Sequence, residues 1–192
     1  MKKGVLVVLL IIFTLGSLQA KSFSLGVGLS GQNKIPMGEE SNELSFEDFV
    51  FGGELRLRLF FLEGSFNTLY DANDESFASM MTGGFNFSLF DIIHLGLGIG
   101  PAFAMKLNNE SYFWASVDKN NSYQGQDSFS DAFFNGLIHY RAHVDLKLGK
   151  VSAGFNWSVP SKGFYLNADD LAEFLPNWEK VKLGFSVLFY LL

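Results

Sequence analysis

Apolar side chains alternate with small or polar ones at every second residue through eight segments of this chain, a period that suits strands and that no helix can keep. In Ser22-Phe23-Ser24-Leu25-Gly26-Val27-Gly28-Leu29-Ser30, the residues Phe23, Leu25, Val27 and Leu29 share one face and only serine or glycine occupies the other. The expected strands lie near 22–31, 49–60, 62–70, 79–89, 94–106, 130–147, 151–159 and 179–191. Short connections fall at Phe60-Phe61, at Phe90-Asp91-Ile92-Ile93 and at Leu148-Gly149-Lys150, whereas long ones run over 32–48, 71–78, 107–129 and 160–178. Tight turns at one end and long loops at the other are the mark of an outer-membrane barrel. The expected fold is all-β, an eight-stranded antiparallel up-and-down transmembrane β-barrel. The first turn carries the weakest local signal, because Leu55 to Tyr70 has no Gly, Pro or Asn at the proposed reversal.

A soluble barrel would show the same period with its apolar face turned inward. Composition separates the two. The non-apolar face is mostly Gly, Ser, Asn and Ala, as in Gly96, Gly98, Gly100, Ala102 and Ala104, where a water-facing surface would carry many Lys and Glu. The opposite face has no Lys, Arg, Asp or Glu in this register, as lipid contact demands, since a Lys or Arg at the bilayer midplane costs about 2–4 kcal/mol. The 20 glycines then suit a crowded inner wall, and the 22 phenylalanines suit lipid contact and interfacial girdles. A mean hydropathy of only +0.17 follows, because the inward face dilutes the outward one.

At the N-terminus, Lys2 and Lys3 precede the apolar stretch Gly4 to Phe13, and Leu18-Gln19-Ala20 offers a small residue at a cleavage position. The expected organisation is a signal peptide over 1–20, cut after Ala20, and a single barrel domain over 21–192. The retained-anchor alternative is disfavoured because the apolar core is short for spanning. The absence of cysteine excludes a lipoprotein anchor, disulfides and thiolate metal sites. Without Lys2 and Lys3, 12 basic residues face 20 acidic ones, a net charge of −8 that argues against nucleic acid as a partner.

The segment Lys182-Leu183-Gly184-Phe185-Ser186-Val187-Leu188-Phe189-Tyr190 places a polar residue and Gly184 ahead of spaced hydrophobic and aromatic positions, among them Val187, Phe189 and Tyr190. With the strand and loop pattern, it resembles the last-strand insertion signal of the small eight-stranded outer-membrane proteins of the OmpX, opacity and OmpW type. The chain departs from that pattern in ending on Leu191-Leu192. The resemblance implies the outer membrane of a diderm bacterium, with outer-membrane lipid and the barrel-assembly machinery as partners.

Charged residues gather on the inward faces of a few strands: Glu54, Arg56 and Arg58 on the second, Glu63 on the third, and His94 on the fifth. The sixth carries His139, Arg141, His143, Asp145 and Lys147, and the last carries Lys180 and Lys182. Buried charges persist when paired and hydrogen-bonded, so a salt-bridged plug is the expected arrangement, with a selective polar conduit as the alternative. His139 and His143 do not form a metal site on a strand, because four residues span about 13 Å and metal bonds are near 2 Å. No metal and no cofactor is expected. The acidic run Asp71-Ala72-Asn73-Asp74-Glu75 lacks the glycine that a calcium loop requires at its sixth place.

Some barrels of this size modify lipid A with Ser, His and an acid near the outer leaflet. Here His94 and His143 sit toward the turns, and no Gly-x-Ser-x-Gly elbow occurs, so catalysis is not expected. In the loop from Asn108 to Asp127, Tyr112, Phe113 and Trp114 stand among polar residues, a composition suited either to surface recognition or to the membrane interface. The stretch Asn167 to Pro176 reads as a short helix starting at Asn167 or Ala168, with Leu171, Phe174 and Leu175 capping the barrel mouth. The functional expectation is a non-catalytic barrel whose outer loops contact host, envelope or environmental components. A narrow, OmpW-like channel for small or apolar solutes is the alternative.

Overall fold

A computed structural model describes residues 23–37, 46–108, 111–119, 122–168 and 170–191. The leader expected over 1–20 lies outside the described residues. Ten strands follow one another: β1 (Phe23–Asn33), β2 (Phe49–Leu59), β3 (Leu62–Asp71), β4 (Ser76–Leu89), β5 (Ile93–Asn108), β6 (Ser111–Val117), β7 (Tyr123–Gln126), β8 (Leu137–Leu148), β9 (Val151–Tyr165) and β10 (Lys182–Tyr190). A helix, α1 (Phe129–Phe134), stands between β7 and β8.

Every pairing is antiparallel, and eight of the strands close a ring in the order β1-β2-β3-β4-β5-β8-β9-β10. Closure comes from β1 pairing with β10, for example Gly28 opposite Leu188, so neither terminal strand is left as an open edge. The eight-stranded up-and-down barrel read from the periodicity is the fold of the chain.

Three tight turns lie at one end, and two of them use backbone that sequence rules assign to glycine or asparagine. Phe60 has φ 55°, and Phe90 and Asp91 have φ 55° and 57°, whereas Gly149 takes φ 64° without a Cβ to strain. Phe90 is among the most exposed aromatics of the protein, with Phe60, Phe61 and Phe85 also exposed around it. The left-handed turn positions at Phe60 and Phe90 thus carry exposed aromatic rings in place of glycine or asparagine, so no turn residue marks the reversal at Phe60-Phe61.

The long connections differ from the sequence expectation in three places. The stretch 107–129, a loop by its sequence, is largely strand: β5 continues upward and pairs with β6, which pairs with β7, so a hairpin rises from the barrel wall. The expected sixth strand over 130–147 starts instead with α1, capped by Ser128 whose side chain accepts from the Asp131 amide, and becomes strand only at Leu137. Phe129, Ala132 and Phe133 carry helical spacing there, and the two-residue period begins after Gly136. In the last connection β9 runs on to Tyr165, and the expected helix is a single 3-10 turn over Leu171–Phe174, with Asp170 as its cap. Leu171, Phe174 and Leu175 do not cap the mouth: all three are exposed, and the Phe174 ring packs edge-on to Tyr140 on the outer side of the wall.

Candidate functional site

Alternation along each strand sorts the barrel into two unlike surfaces. Outward lie Val27, Leu55, Leu57, Leu97, Ile99, Val144, Leu146, Phe155, Val187 and Phe189, all exposed, while the inward Ser24, Ser30, Asn67, Thr82, Asn86, Ser152 and Asn156 are buried. Aromatics gather at the two rims, with Phe23, Phe60, Phe61, Phe85 and Phe90 toward the turns and Tyr70, Phe77, Tyr112 and Trp178 toward the loops. A water-soluble barrel has the opposite polarity. It is a small β-barrel of the outer-membrane type.

No protein-family model matches the chain, and a search of curated proteins finds no relative. Among solved structures it is similar to Ail, the attachment invasion locus protein of Yersinia pestis, with a TM-score of 0.45 and 14% identity over 88% of this chain and 95% of that one. The same protein in complex with the heparin analogue sucrose octasulfate matches with the same figures.

Inside the turn-side half of the barrel, three guanidinium groups meet three carboxylates. Arg56, 0% exposed, donates from Nε to Glu54 Oε1 at 2.9 Å and from Nη1 to Asp145 Oδ2. Arg58 donates to Glu63 Oε2 at 2.8 Å and to Asp145 Oδ2 at 3.0 Å. Arg141 donates to the second Glu54 oxygen at 2.7 Å and to Ser65 Oγ at 3.1 Å. Charges of equal number and opposite sign, each bridging two strands or more, satisfy the condition under which buried ions are tolerated. The six belong to the neighbouring strands β2 and β3 and to β8 on the far side of the ring, so the bridges from Arg56 and Arg58 to Asp145 and from Arg141 to Glu54 also fix the barrel's cross-section.

Several further groups complete this plug. His143 Nε2 lies 3.5 Å from Glu63 and 3.7 Å from Asp145. Asn86 donates to Glu63 at 3.2 Å. Tyr190 is buried over Gly26, with the Arg58 guanidinium and the Lys147 ammonium each 5.2 Å from its ring centroid. Lys147 also approaches Asp91 of the turn at 4.0 Å. Of the four positions tied to the insertion signal, Val187 and Phe189 face outward, whereas Gly184 and Tyr190 face the lumen. Tyr190 shares the parity of Lys182, Gly184 and Ser186, which is the signal that would have assigned it to the plug. Ser65 and Asn86 carry no sequence signal for the plug, because neutral residues on an inward face look like filler until their partners are known.

Gly96 is required by this packing, since a Cβ there would overlap the His143 imidazole. Gly96→Ala is expected to cost about 1–3 kcal/mol through overpacking. Urea titration of the folded barrel in vesicles measures it, and Gly64→Ala, where a Cβ meets nothing within 4 Å, should leave the midpoint unchanged.

The other charged residues singled out in the sequence stand elsewhere. His139 lies in the loop-side half, with its Nδ1 3.0 Å from the Leu137 carbonyl oxygen. Lys180 is not on the last strand but in a 3-10 turn over Trp178–Lys180, where it donates to the Lys119 carbonyl at 2.6 Å. With Lys182, which opens β10, these residues line a loop-side vestibule of about 460 Å³ that also includes Lys34, Asp71 and Tyr123. None of the three arginines and three carboxylates lines it. At its rim Lys34 pairs with Asp71 at 2.7 Å. Burial works against the Asp71 carboxylate, but the Lys34 ammonium and the Asn73 and Asp74 amides hold its pKa below the usual range.

Tyr112, Phe113 and Trp114 are strand residues of β6 rather than loop residues. Trp114 pairs with the outward Met105, so it and Tyr112 face outward and Phe113 faces the opposite way. Trp114 packs on Phe129 of α1 with ring centroids 5.1 Å apart, and both meet the buried Phe103.

One row of the sheet sets Ser88 opposite His94 and His94 opposite Asp145, the residue types of a nucleophilic triad. The Ser88 hydroxyl and both His94 ring nitrogens make no hydrogen bond among the described residues. A serine is activated through a hydrogen-bonded relay, and this row has none.

Proposed function

We propose that this protein is a non-catalytic, non-conducting barrel of the outer membrane, which turns its closed end to the periplasm and works through its loop-side surface. The observation that carries this reading is the neutral six-residue charge network, five of whose members are buried and the sixth, Glu63, half-buried, spanning the lumen from β2 and β3 to β8 on the turn side. An ion entering from the vestibule would have to separate Arg56 from Glu54 and Asp145, and removing one partner of a buried pair costs about 3–5 kcal/mol. Outward-facing apolar residues and two aromatic rims support the membrane setting. The unlinked Ser88, His94 and Asp145 row supports a role without catalysis. Its partners in this reading are outer-membrane lipid, the barrel-assembly machinery, and host or environmental molecules met at the loops, with the leader removed after Ala20.

Planar-bilayer recording of the refolded protein tests the proposal, once an unboiled gel sample migrates apart from a boiled one. A folded barrel without current steps is the expected result. Discrete steps in the wild-type protein would instead make it a pore. Arg141→Ala sharpens the test: a plug loses folding yield and gains no conductance, whereas a gate stays folded and leaks.

A further inference from the structure

Outside the barrel wall, beneath α1, lies a groove of about 340 Å³ that none of the plug residues lines. Its floor is Phe66, Phe77 and Met81 from the outward faces of β3 and β4, and its walls are Met105, Trp114 and Phe129. Among the described residues its hydroxyl side chains, Thr68 and Ser79, hydrogen-bond to each other at 3.1 Å and so offer little to a polar guest. The volume lies within the range of about 300–1,000 Å³ seen for small-molecule clefts.

The groove does not end at its floor. Phe66 pairs with Met81, and the next outward pair toward the turns is Gly64 with Gly83. Ideal Cβ atoms at both glycines would meet nothing within 4 Å, so the wall is notched there. Flanking outward pairs are large, with Leu62 opposite Phe85 below the notch. Groove and notch therefore form one furrow, open to the apolar belt and covered at its loop-side end by an aromatic roof.

We infer that this furrow is a binding site for one acyl chain of a bilayer lipid in the loop-side leaflet. The occupant follows from continuity with the lipid-facing surface: a chain lying against β3 and β4 reaches Trp114 and Phe129 without leaving apolar surroundings. An aromatic roof over an apolar slot of about 340 Å³ holds such a chain more persistently than the open wall does. The inference rests on the membrane reading of the outer face.

Brominated phosphatidylcholine, with bromine in the acyl chain, quenches tryptophan on contact and tests the site in the refolded protein. The protein has three tryptophans, so Trp157→Phe with Trp178→Phe leaves Trp114, and Trp114→Phe with Trp178→Phe leaves Trp157. Trp157 is outward on β9, opposite Ala142 and Leu183 and away from the furrow, and reports plain lipid contact. Strong quenching of both is expected. Filling the furrow with Gly83→Leu or Ser79→Phe, each outward and away from the plug, should then cut Trp114 quenching at least twofold and leave Trp157 quenching unchanged. Quenched Trp157 with unquenched Trp114, or Trp114 quenching indifferent to both fillings, overturns the furrow site and leaves the membrane reading standing. If neither tryptophan is quenched in a protein shown by gel shift to be folded, the membrane reading itself falls. Trp114 protected by a second copy would appear as quenching that declines as protein-to-lipid ratio rises, and would likewise overturn the lipid site.

Discussion

Replacing Arg56 by methionine is expected to lower the stability of the barrel by about 3–5 kcal/mol, the largest effect of any single substitution considered. Arg56 is fully buried and bonds to both Glu54 and Asp145, with Glu63 a further 3.9 Å from its Nε. Methionine fills much of the same space, so the loss comes from three carboxylates left with two guanidinium groups. Coulomb energy in a medium of low dielectric makes that imbalance expensive. Urea unfolding in vesicles, followed by tryptophan emission and by gel shift of unboiled samples, measures the change. Glu54→Gln added to Arg56→Met restores equal numbers of opposite charges and is expected to recover part of the loss. A double variant no more stable than Arg56→Met would show that packing, and not charge balance, sets the cost.

Arginine in place of Leu97 is expected to cost about 2–4 kcal/mol in a bilayer, because Leu97 is outward at the middle of the Ile93–Pro101 stretch of β5 that pairs with β8. Its neighbours across the strands, Phe85 and Ala142, offer no carboxylate. Leu148→Arg provides the depth control. Leu148 is outward at the last tight turn and still more exposed, and there the penalty should shrink to about 0–1 kcal/mol, since an arginine at the rim reaches headgroups and water. On a water-facing surface both changes would fall within about ±0.5 kcal/mol. Equal, small effects at the two positions would therefore remove the lipid from the outer face. A steep difference assigns the outer face to the bilayer and fixes the turn at its edge.

These experiments separate what holds the barrel together from where it sits. The plug acts from within, by making register and cross-section depend on pairs such as Arg141 with Glu54, which belong to strands far apart in sequence. The belt acts from outside, by excluding charge. A strand slipped by one residue would exchange the two faces, placing Arg56 and Arg58 in lipid, so both constraints favour the same register.

The sequence by itself determined the ring of eight strands, the position of all three tight turns, and which face of each strand is apolar. It could do so because those properties depend on a residue's nearest neighbours along a strand with a fixed period of two. Leu95, Leu97 and Ile99 announce one face of β5 whatever lies beside them. Local pattern failed where the period changed within a segment, as at Gly136, and was weakest where a left-handed turn residue is aromatic, as at Phe60 and Phe90. Only the tertiary structure decided how the inward charges divide: Arg56, Arg58 and Arg141 into a neutral plug, His139, Lys180 and Lys182 into a vestibule. It also turned Tyr112-Phe113-Trp114 from a loop into a strand, with Trp114 roofing a furrow built from β3, β4 and β5. The ion pairs of the plug join residues up to 89 positions apart, as Arg56 and Asp145 are, and depend on barrel closure. No local rule of sequence carries that distance.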